Sequence, residues 1–272
     1  MIVQSSEEGQ IPFVIKMSEH TALAGNLARF FGNSRFEPIK PREPMLFVID
    51  NHDIGWRELD ERAPADPKTG LPYNLVETPF EEIIRTSSRS PERNSSEHAY
   101  CGLISSMHSW GLYNGRYGMS DLVLLDNLAS DNKVEASRML DGEIRRQTEL
   151  KAKLASDPKT AGWIKKEKLF QNYKQLQFFD TLALYFNCTH EKHRTKTTFL
   201  HVPQTKDEDV EVTITPKGNG DYSFAPYPFK QDKIDVEFSG RYLDPAKTTG
   251  GEEIGEIIKK TPIEKQTVRL VS

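Results

Sequence analysis

The stretch Met45-Leu-Phe-Val-Ile-Asp-Asn-His-Asp-Ile-Gly-Trp56 places a histidine and an aspartate side by side at the end of an apolar run. Met45, Val48 and Ile49 recur at helical spacing, which predicts a helix whose His52 side faces the core. Burying an imidazole beside a carboxylate costs free energy unless the two groups are paired, protonated or bound to a cation. His52 and Asp53 therefore predict a site that holds a divalent metal ion.

Length and composition exclude several classes of protein. The chain has 272 residues, enough to bury a sizeable core, and its net charge of -4 argues against an extended nucleic-acid surface. No apolar run reaches about 20 residues, so we expect no membrane span and no membrane partner. The N-terminus lacks the pattern of a secretory signal, and two cysteines, Cys101 and Cys188, are typical of a reducing compartment. We therefore expect a cytoplasmic protein.

The hydrophobic pattern predicts an α+β fold, mainly α with a β-rich C-terminal section. Residues 1–17 are predicted to form a β-hairpin, and period-2 alternation begins near residue 195. This favours a helical domain over 1–194 and a β-rich section over 195–272, which could share a sheet with the hairpin. Helices are predicted over 19–31, 45–56, 79–85, 94–113, 133–155, 165–187 and 252–260. Residues 60–79 are predicted to be a long loop, either a lid or a surface excursion.

Two further polar residues lie on apolar helix faces. His20 shares a face with Leu23, Ala24 and Leu27, where the ordinary interpretation is a core histidine with one hydrogen bond. Asp180 lies on an apolar stripe of the helix predicted over 165–187 and is the most out-of-place carboxylate in the chain. Together with His52 and Asp53, these residues form an ordered set of four metal-ligand types.

The order His20, His52-Asp53, Asp180 resembles the HD superfamily of all-helical, metal-dependent enzymes, whose signature is a His, a His-Asp pair and a distant Asp. In two-metal members, further histidines lie between the pair and the last Asp. Here His98 and His108 occupy that interval, ten residues apart, which is shorter than in those members. The resemblance implies an HD-domain-like helical bundle with an N-terminal hairpin.

Longer segments extend the resemblance over nearly the whole chain. They are similar to an uncharacterised bacterial family of HD-like proteins, which suggests a fold but no substrate. These segments are Asn51-His-Asp-Ile-Gly-Trp56, Gly70-Leu-Pro-Tyr-Asn74, Ser106-Met-His-Ser-Trp-Gly-Leu112, Phe179-Asp-Thr-Leu-Ala-Leu184 and Ala225-Pro-Tyr-Pro-Phe229.

Two imidazoles and two carboxylates suit a divalent transition metal such as Fe, Mn, Co, Ni or Zn. The resemblance implies hydrolysis of small phosphoesters or nucleotides by a metal-activated water. Asp53, His98 and His108 are then candidate catalytic groups, and Asp50 is a further candidate acid or base. Cationic residues near the loop, Arg57, Arg62 and Lys68, are candidates for binding a phosphorylated small-molecule substrate.

Two other functions remain open at this point. A di-iron oxygenase would use His98 and His108 as additional ligands for a second metal. A metal-stabilised scaffold or ligand-binding protein would use the same four residues without catalysis.

Overall fold

The structure, a computed structural model, describes residues 1–7, 9–248 and 253–272. The helices are α1 (Met17–Arg29), α2 (Arg42–Asn51), α3 (Arg57–Arg62), α4 (Phe80–Glu97), α5 (Ala99–Tyr113), α6 (Gly115–Gly118, a single turn), α7 (Ser130–Ala155), α8 (Lys166–Cys188) and α9 (Ile254–Lys260). The strands are β1 (Ile2–Val3), β2 (Phe13–Ile15), β3 (Thr197–Pro203), β4 (Asp209–Gly218), β5 (Asp221–Ala225), β6 (Lys233–Tyr242) and β7 (Glu264–Val271). The start predicted for the last helix, Glu252, lies outside the described residues.

All seven strands belong to one mixed sheet in the order β1-β2-β6-β7-β5-β4-β3. The pair β5–β7 is parallel and the other neighbours are antiparallel. The last strand in the chain, β7, thus lies inside the sheet, between β6 and β5. The N-terminal hairpin joins the C-terminal strands through β2 and β6, where Phe13 lies opposite Tyr242.

The predicted HD-domain-like helical bundle is therefore wrong as a description of this fold. The chain is an α+β protein in which the helices pack on a sheet built from both ends of the sequence. The hairpin residues Ile2, Phe13 and Ile15 are buried, because β2 pairs with β6 and the three side chains belong to the core that the helices cover. Such a pairing spans more than 200 residues and leaves no local pattern in the sequence.

The alternating strands bury one face against the helices. Val212, Ile214, Val236 and Phe238 belong to the same apolar core as residues of α1, α2, α5 and α8. Helix α1 packs on β6, and α8 packs on β3. The sheet therefore supports the two helices that carry His20 and Asp180.

Helix α2 is shorter than predicted and ends at Asn51. His52 follows as its C-cap, and Asp53 precedes a 3-10 turn over Ile54–Trp56. The turn lies against α4, where the amide of Gly55 donates a hydrogen bond to Ser90 Oγ at 3.0 Å. The His-Asp pair thus lies at a chain reversal, which allows its two side chains to turn toward one centre.

Helix α4 runs through the boundary that the sequence predicts at Asn94. Pro91, inside the helix, cannot donate to the carbonyl of Ser87 four residues earlier. The hydroxyl of Ser109, on α5, donates to that carbonyl at 2.9 Å. The predicted helix start at Asn94 is wrong, because α4 continues to Glu97 and His98 caps the following helix.

The segment 60–79 holds its shape through its own hydrogen bonds. Asp66 is buried, and its carboxylate accepts from the amide of Lys68 and the hydroxyl of Thr69. Ala65 and Pro72 form an isolated antiparallel bridge, and a 3-10 turn follows over Leu75–Glu77. The segment is thus an ordered loop that ends beside the candidate site.

Within the described ranges 1–7, 9–248 and 253–272, every helix is too short or too polar to cross a membrane.

We expect Gly55→Ala to lower the free energy of unfolding by about 1–3 kcal/mol through overpacking. A Cβ atom at this position would lie 2.3 Å from the backbone oxygen of Thr86 and 2.8 Å from the backbone nitrogen of Ser90. Urea denaturation measures the change.

The matched control is Gly142→Ala, on the middle of α7, where a Cβ atom would lie 3.9 Å from its nearest neighbour, the Arg145 side chain. This substitution should leave stability unchanged or raise it by up to about 1 kcal/mol. Equal effects of the two substitutions would contradict the close packing of the 3-10 turn on α4.

Candidate metal centre

Four structural elements bring the predicted metal ligands together. His20 comes from α1, His52 from the end of α2, Asp53 from the turn that follows, and Asp180 from α8. His20, His52 and Asp180 are buried, and Asp53 is about one-fifth exposed. Within the group His20, His52 and Asp53, one potential ligand atom from each side chain lies within 4.8 Å of the others.

The close approach of α1 and α2 makes this convergence possible. Gly25 on α1 faces Asp50 on α2, and a Cβ atom on Gly25 would overlap the Asp50 carboxylate at 1.5 Å. Asp50 is held there by Arg29, whose Nη1 donates to Oδ1 at 3.0 Å. Asp50, a candidate acid or base from the sequence, thus forms an ion pair on the outer side of the helix pair.

Asp180 Oδ1 is the shared neighbour within the centre. It lies 3.2 Å from His20 Nε2 and 3.5 Å from His52 Nε2, and the latter nitrogen lies 3.7 Å from Asp53 Oδ2. Ligand atoms about 2.1 Å from one ion lie roughly 3.0–3.5 Å from each other in ordinary coordination geometries. The spacing therefore fits a single divalent ion with little movement.

Hydrogen bonds on the outer side of two imidazoles turn their second nitrogens toward the centre. His52 Nδ1 lies 2.9 Å from the carbonyl oxygen of Ile49, which can only accept, so this nitrogen is the donor. His52 Nε2 is buried and has no hydrogen-bond partner among the described residues. His20 Nδ1 likewise lies 3.0 Å from Asn187 Oδ1. Such outer contacts orient metal-binding histidines.

The pKa values show how strongly the centre favours a positive charge. Burial lowers the pKa of His52, but the charges of Asp53 and Asp180 outweigh it and raise the pKa to about 9. Burial raises the pKa of the Asp180 carboxyl, yet His20 and His52 hold it well below its usual range. In the absence of a metal ion, a proton on His52 would supply this charge, and a divalent ion would replace it.

His108 is a fifth candidate ligand. It forms a second possible group with His52 and Asp180, and its ring centroid lies 5.1 Å from that of His52. Burial, with a smaller contribution from the charge of Arg116, lowers the pKa of His108 to about 4. Gln177 Nε2 lies 2.6 Å from His108 Nδ1, which leaves Nε2 as the free nitrogen.

His98 lies apart from this centre. Its Nδ1 accepts a hydrogen bond from the amide of Tyr100 at the start of α5, and its ring packs near Trp163. It lines a different surface depression, beside Lys153 and Thr160. The structure therefore brings His108, but not His98, to the four predicted ligands.

The cationic candidates near the loop also lie elsewhere. Arg62 pairs with Glu82, and neither Lys68 nor Arg57 lines the cavity beside the centre. This cavity, of about 400 Å³, is bordered by His20, Asp53, His108 and Asp180. The loop contributes Leu75 and Val76 to its wall instead.

Sequence reasoning missed three polar residues around the centre. Gln177 and Asn187 lie three residues before and seven residues after Asp180, which is the spacing of one helix face. Polar residues at this spacing on an otherwise buried helix are the signal that could have found them. Arg116 also borders the cavity, and the flanking glycines of Gly115-Arg-Tyr-Gly118 are its only sequence signal.

Residues 1–245 match the family described as "Protein of unknown function (DUF3891)", and the chain belongs to this family. No curated protein and no solved structure matches the chain. The matched region contains all five residues of the centre and ends before α9 and β7. Because the function of this family is unknown, membership in it does not identify the activity of the chain.

We expect the purified protein to bind Mn²⁺ or Co²⁺, and Asp180→Asn to weaken this binding about 100-fold or more. The substitution removes the carboxylate charge that both inner imidazoles face, and even the loss of an outer contact costs about 10–100-fold in comparable sites. Isothermal titration calorimetry measures the affinity. The matched control is His98→Asn, which keeps an acceptor at the helix cap and should leave the affinity unchanged. Equal losses in both variants would contradict the placement of the centre.

We expect Asn187→Leu to weaken metal binding by about 10–100-fold while all five candidate ligands remain. The leucine removes the acceptor for His20 Nδ1, so that imidazole loses its fixed orientation. The same titration measures the loss. Unchanged affinity with a normal circular dichroism spectrum would show that Asn187 does not orient the ligand.

Proposed function

We propose that the protein is a metal-dependent hydrolase of small phosphoesters. The observation that carries the proposal is the convergence of imidazole and carboxylate groups around His52 Nε2, a buried nitrogen without a hydrogen-bond partner among the described residues. An open cavity bordered by His20, Asp53 and Asp180 gives a substrate access to the same centre. The order of the ligand residues supports a relationship to the HD superfamily in chemistry, although the fold is not its helical bundle.

His20, His52, Asp53 and Asp180 would hold the ion, and their mixed nitrogen and oxygen donors suit Mn, Fe, Co, Ni or Zn. When bound, such an ion lowers the pKa of water and polarises a phosphoryl oxygen. In the net reaction, the oxygen of water bonds to phosphorus, the P–O ester bond breaks, and the alcohol departs with a proton. Inorganic phosphate is the second product.

The chain's own side chains would orient the reacting groups. Asp53 is the most exposed of the four ligands and borders the cavity, so its carboxylate lies where an attacking water would be positioned. His108 lies on the other side of His52, with Gln177 fixing its ring. Because its pKa is lowered to about 4, this imidazole is unprotonated at neutral pH, and we assign it a fifth ligand position.

A di-iron oxygenase receives less support, because it needs His98 and His108 in one coordination shell. His98 caps α5 beside Trp163 and lines a different depression. We also propose a cytoplasmic location, which the two unpaired cysteines, Cys101 and Cys188, support. The partner of the site is then a phosphorylated small molecule of the cytoplasm.

We expect Mn²⁺- or Co²⁺-loaded protein to hydrolyse at least one member of a panel of phosphomonoesters and nucleotides. Asp53→Asn should lower turnover by about 100-fold or more, because it removes a charged ligand at the cavity wall. Release of inorganic phosphate measures the reaction.

The control in this assay is His98→Asn, which should keep full turnover. Activity that survives Asp53→Asn would come from a contaminating phosphatase. Stoichiometric metal without turnover on any substrate would favour a metal-stabilised ligand-binding protein instead.

A further inference from the structure

The cavity beside the metal centre is lined mainly by hydrocarbon. Beyond the ligand side chains, its wall is built from residues such as Trp56, Phe80, Ile83, Leu112, Leu128 and Leu184. Helices α4, α5 and α8, the loop before α4 and the segment after α6 all contribute apolar residues, so the lining does not come from one helix alone. A wall of this kind accepts an apolar group and disfavours a polar one, because buried polar atoms without partners are costly.

Exposed apolar side chains continue this surface at the cavity mouth. Val76 is 79% exposed and Leu124 is 36% exposed, and both line the cavity. Leaving such side chains in water costs free energy that a hydrophobic ligand would recover. The apolar surface therefore extends from the metal centre to the solvent.

A single cationic side chain, Arg116, lines this cavity among the lysines and arginines that the structure describes, and it also borders a second cavity beside Lys174. Its guanidinium makes no hydrogen bond or ion pair with the described residues, unlike Arg62, which pairs with Glu82. It is close enough to the centre for its charge to lower the pKa of His108. An unpaired guanidinium beside a metal centre is suited to bind one anionic group.

The backbone holds Arg116 in an unusual conformation. Gly115, Arg116, Tyr117 and Gly118 all have positive φ, and the turn is therefore left-handed. For the two non-glycine residues this conformation is strained. The ring of Tyr117 packs on Trp110 at 4.7 Å and on Tyr173 at 5.1 Å between centroids, which anchors the turn and fixes Arg116 at the cavity.

We propose that the substrate is a phosphomonoester of an apolar alcohol, with an alkyl, prenyl or aryl body. Arg116 binds the phosphoryl group at the metal centre, and the hydrocarbon body lies in the cavity against Phe80, Leu112 and Leu128. The inference rests on the proposed function, because hydrolysis would release inorganic phosphate and the apolar alcohol.

A nucleotide fits this site poorly for two reasons. A di- or triphosphate carries several negative charges, whereas one arginine is available to them in the described part of the wall. A ribose and base would place several hydroxyl and amide groups against Phe80, Leu112 and Leu128, and outside the metal centre the neutral polar side chains of the described wall are limited to Ser87, Ser109, Tyr113 and Asn127. The site therefore favours one phosphoryl group on a hydrocarbon.

Alkylphosphonates test this class of ligand without turnover, because their carbon–phosphorus bond does not hydrolyse. We expect calorimetric titration of the Mn²⁺-loaded protein to show binding that tightens about fourfold for each added methylene, from methyl to hexyl. A phosphonate of the same length with a terminal hydroxyl should bind at least tenfold more weakly than the unmodified one.

Two leucines of the same loop provide a matched pair of variants. Leu124→Asn should weaken hexylphosphonate at least threefold and leave methylphosphonate unchanged, since Leu124 borders the cavity. Leu122→Asn should change neither affinity, because Leu122 is 59% exposed and does not line the cavity.

Arg116→Asn tests the anion contact. Asparagine tolerates the left-handed conformation, so the variant should fold with an unchanged melting temperature. It should weaken all phosphonates by about tenfold or more, whatever their chain length.

The proposal of an apolar substrate would be overturned if phosphonate affinity did not depend on chain length. The same would follow if the hydroxylated phosphonate bound as tightly as the unmodified one. Either result would leave the proposed hydrolase intact if polar phosphoesters were turned over. If phosphonate affinity increased with chain length but no phosphoester were hydrolysed, the result would support a binding site for apolar anions and contradict the proposed hydrolase activity.

Discussion

The carboxylate of Asp180, buried in the centre of the helical layer, is the constraint on which the site depends. An ionised group in this position needs a compensating positive charge, and breaking a buried pair costs about 3–5 kcal/mol. His20 and His52 face it from two other helices, at 3.2 and 3.5 Å. The need of the Asp180 carboxylate for positively charged neighbours thus holds α8 against α1 and the end of α2.

This requirement also explains why the surrounding packing is tight. Gly25 allows α1 and α2 to approach, and Gly55 allows the turn after Asp53 to lie on α4. The outer contacts from Ile49 and Asn187 then point the free imidazole nitrogens inward. Small residues and oriented hydrogen bonds, rather than further charges, hold the ligands in place.

The parts that the sequence predicts well are those with local patterns. Helical periodicity placed His20 and Asp180 on buried faces, and the structure sets them beside His52. Pairing of β2 with β6 has no local signal, so the sequence left a sheet shared by the hairpin and the C-terminal section as one alternative and could not decide it. From the sequence alone, His98 and His108 are equally good candidate ligands. In the structure α5 begins at Ala99, so His98 is its N-cap and His108 lies within the helix, next to the centre. The position of Arg116 at the cavity depends on a left-handed turn, which the amino-acid composition of the segment does not specify.

The position of β7 inside the sheet has a consequence for how the protein is made on the ribosome. Strands β1 to β6 emerge first, but β5 and β6 do not pair with each other and meet only through β7. Until residues 264–271 have left the exit tunnel, β5 and β6 therefore lack the strand that joins them. Completion of the sheet waits for β7 and depends on contacts of long sequence separation, which form slowly.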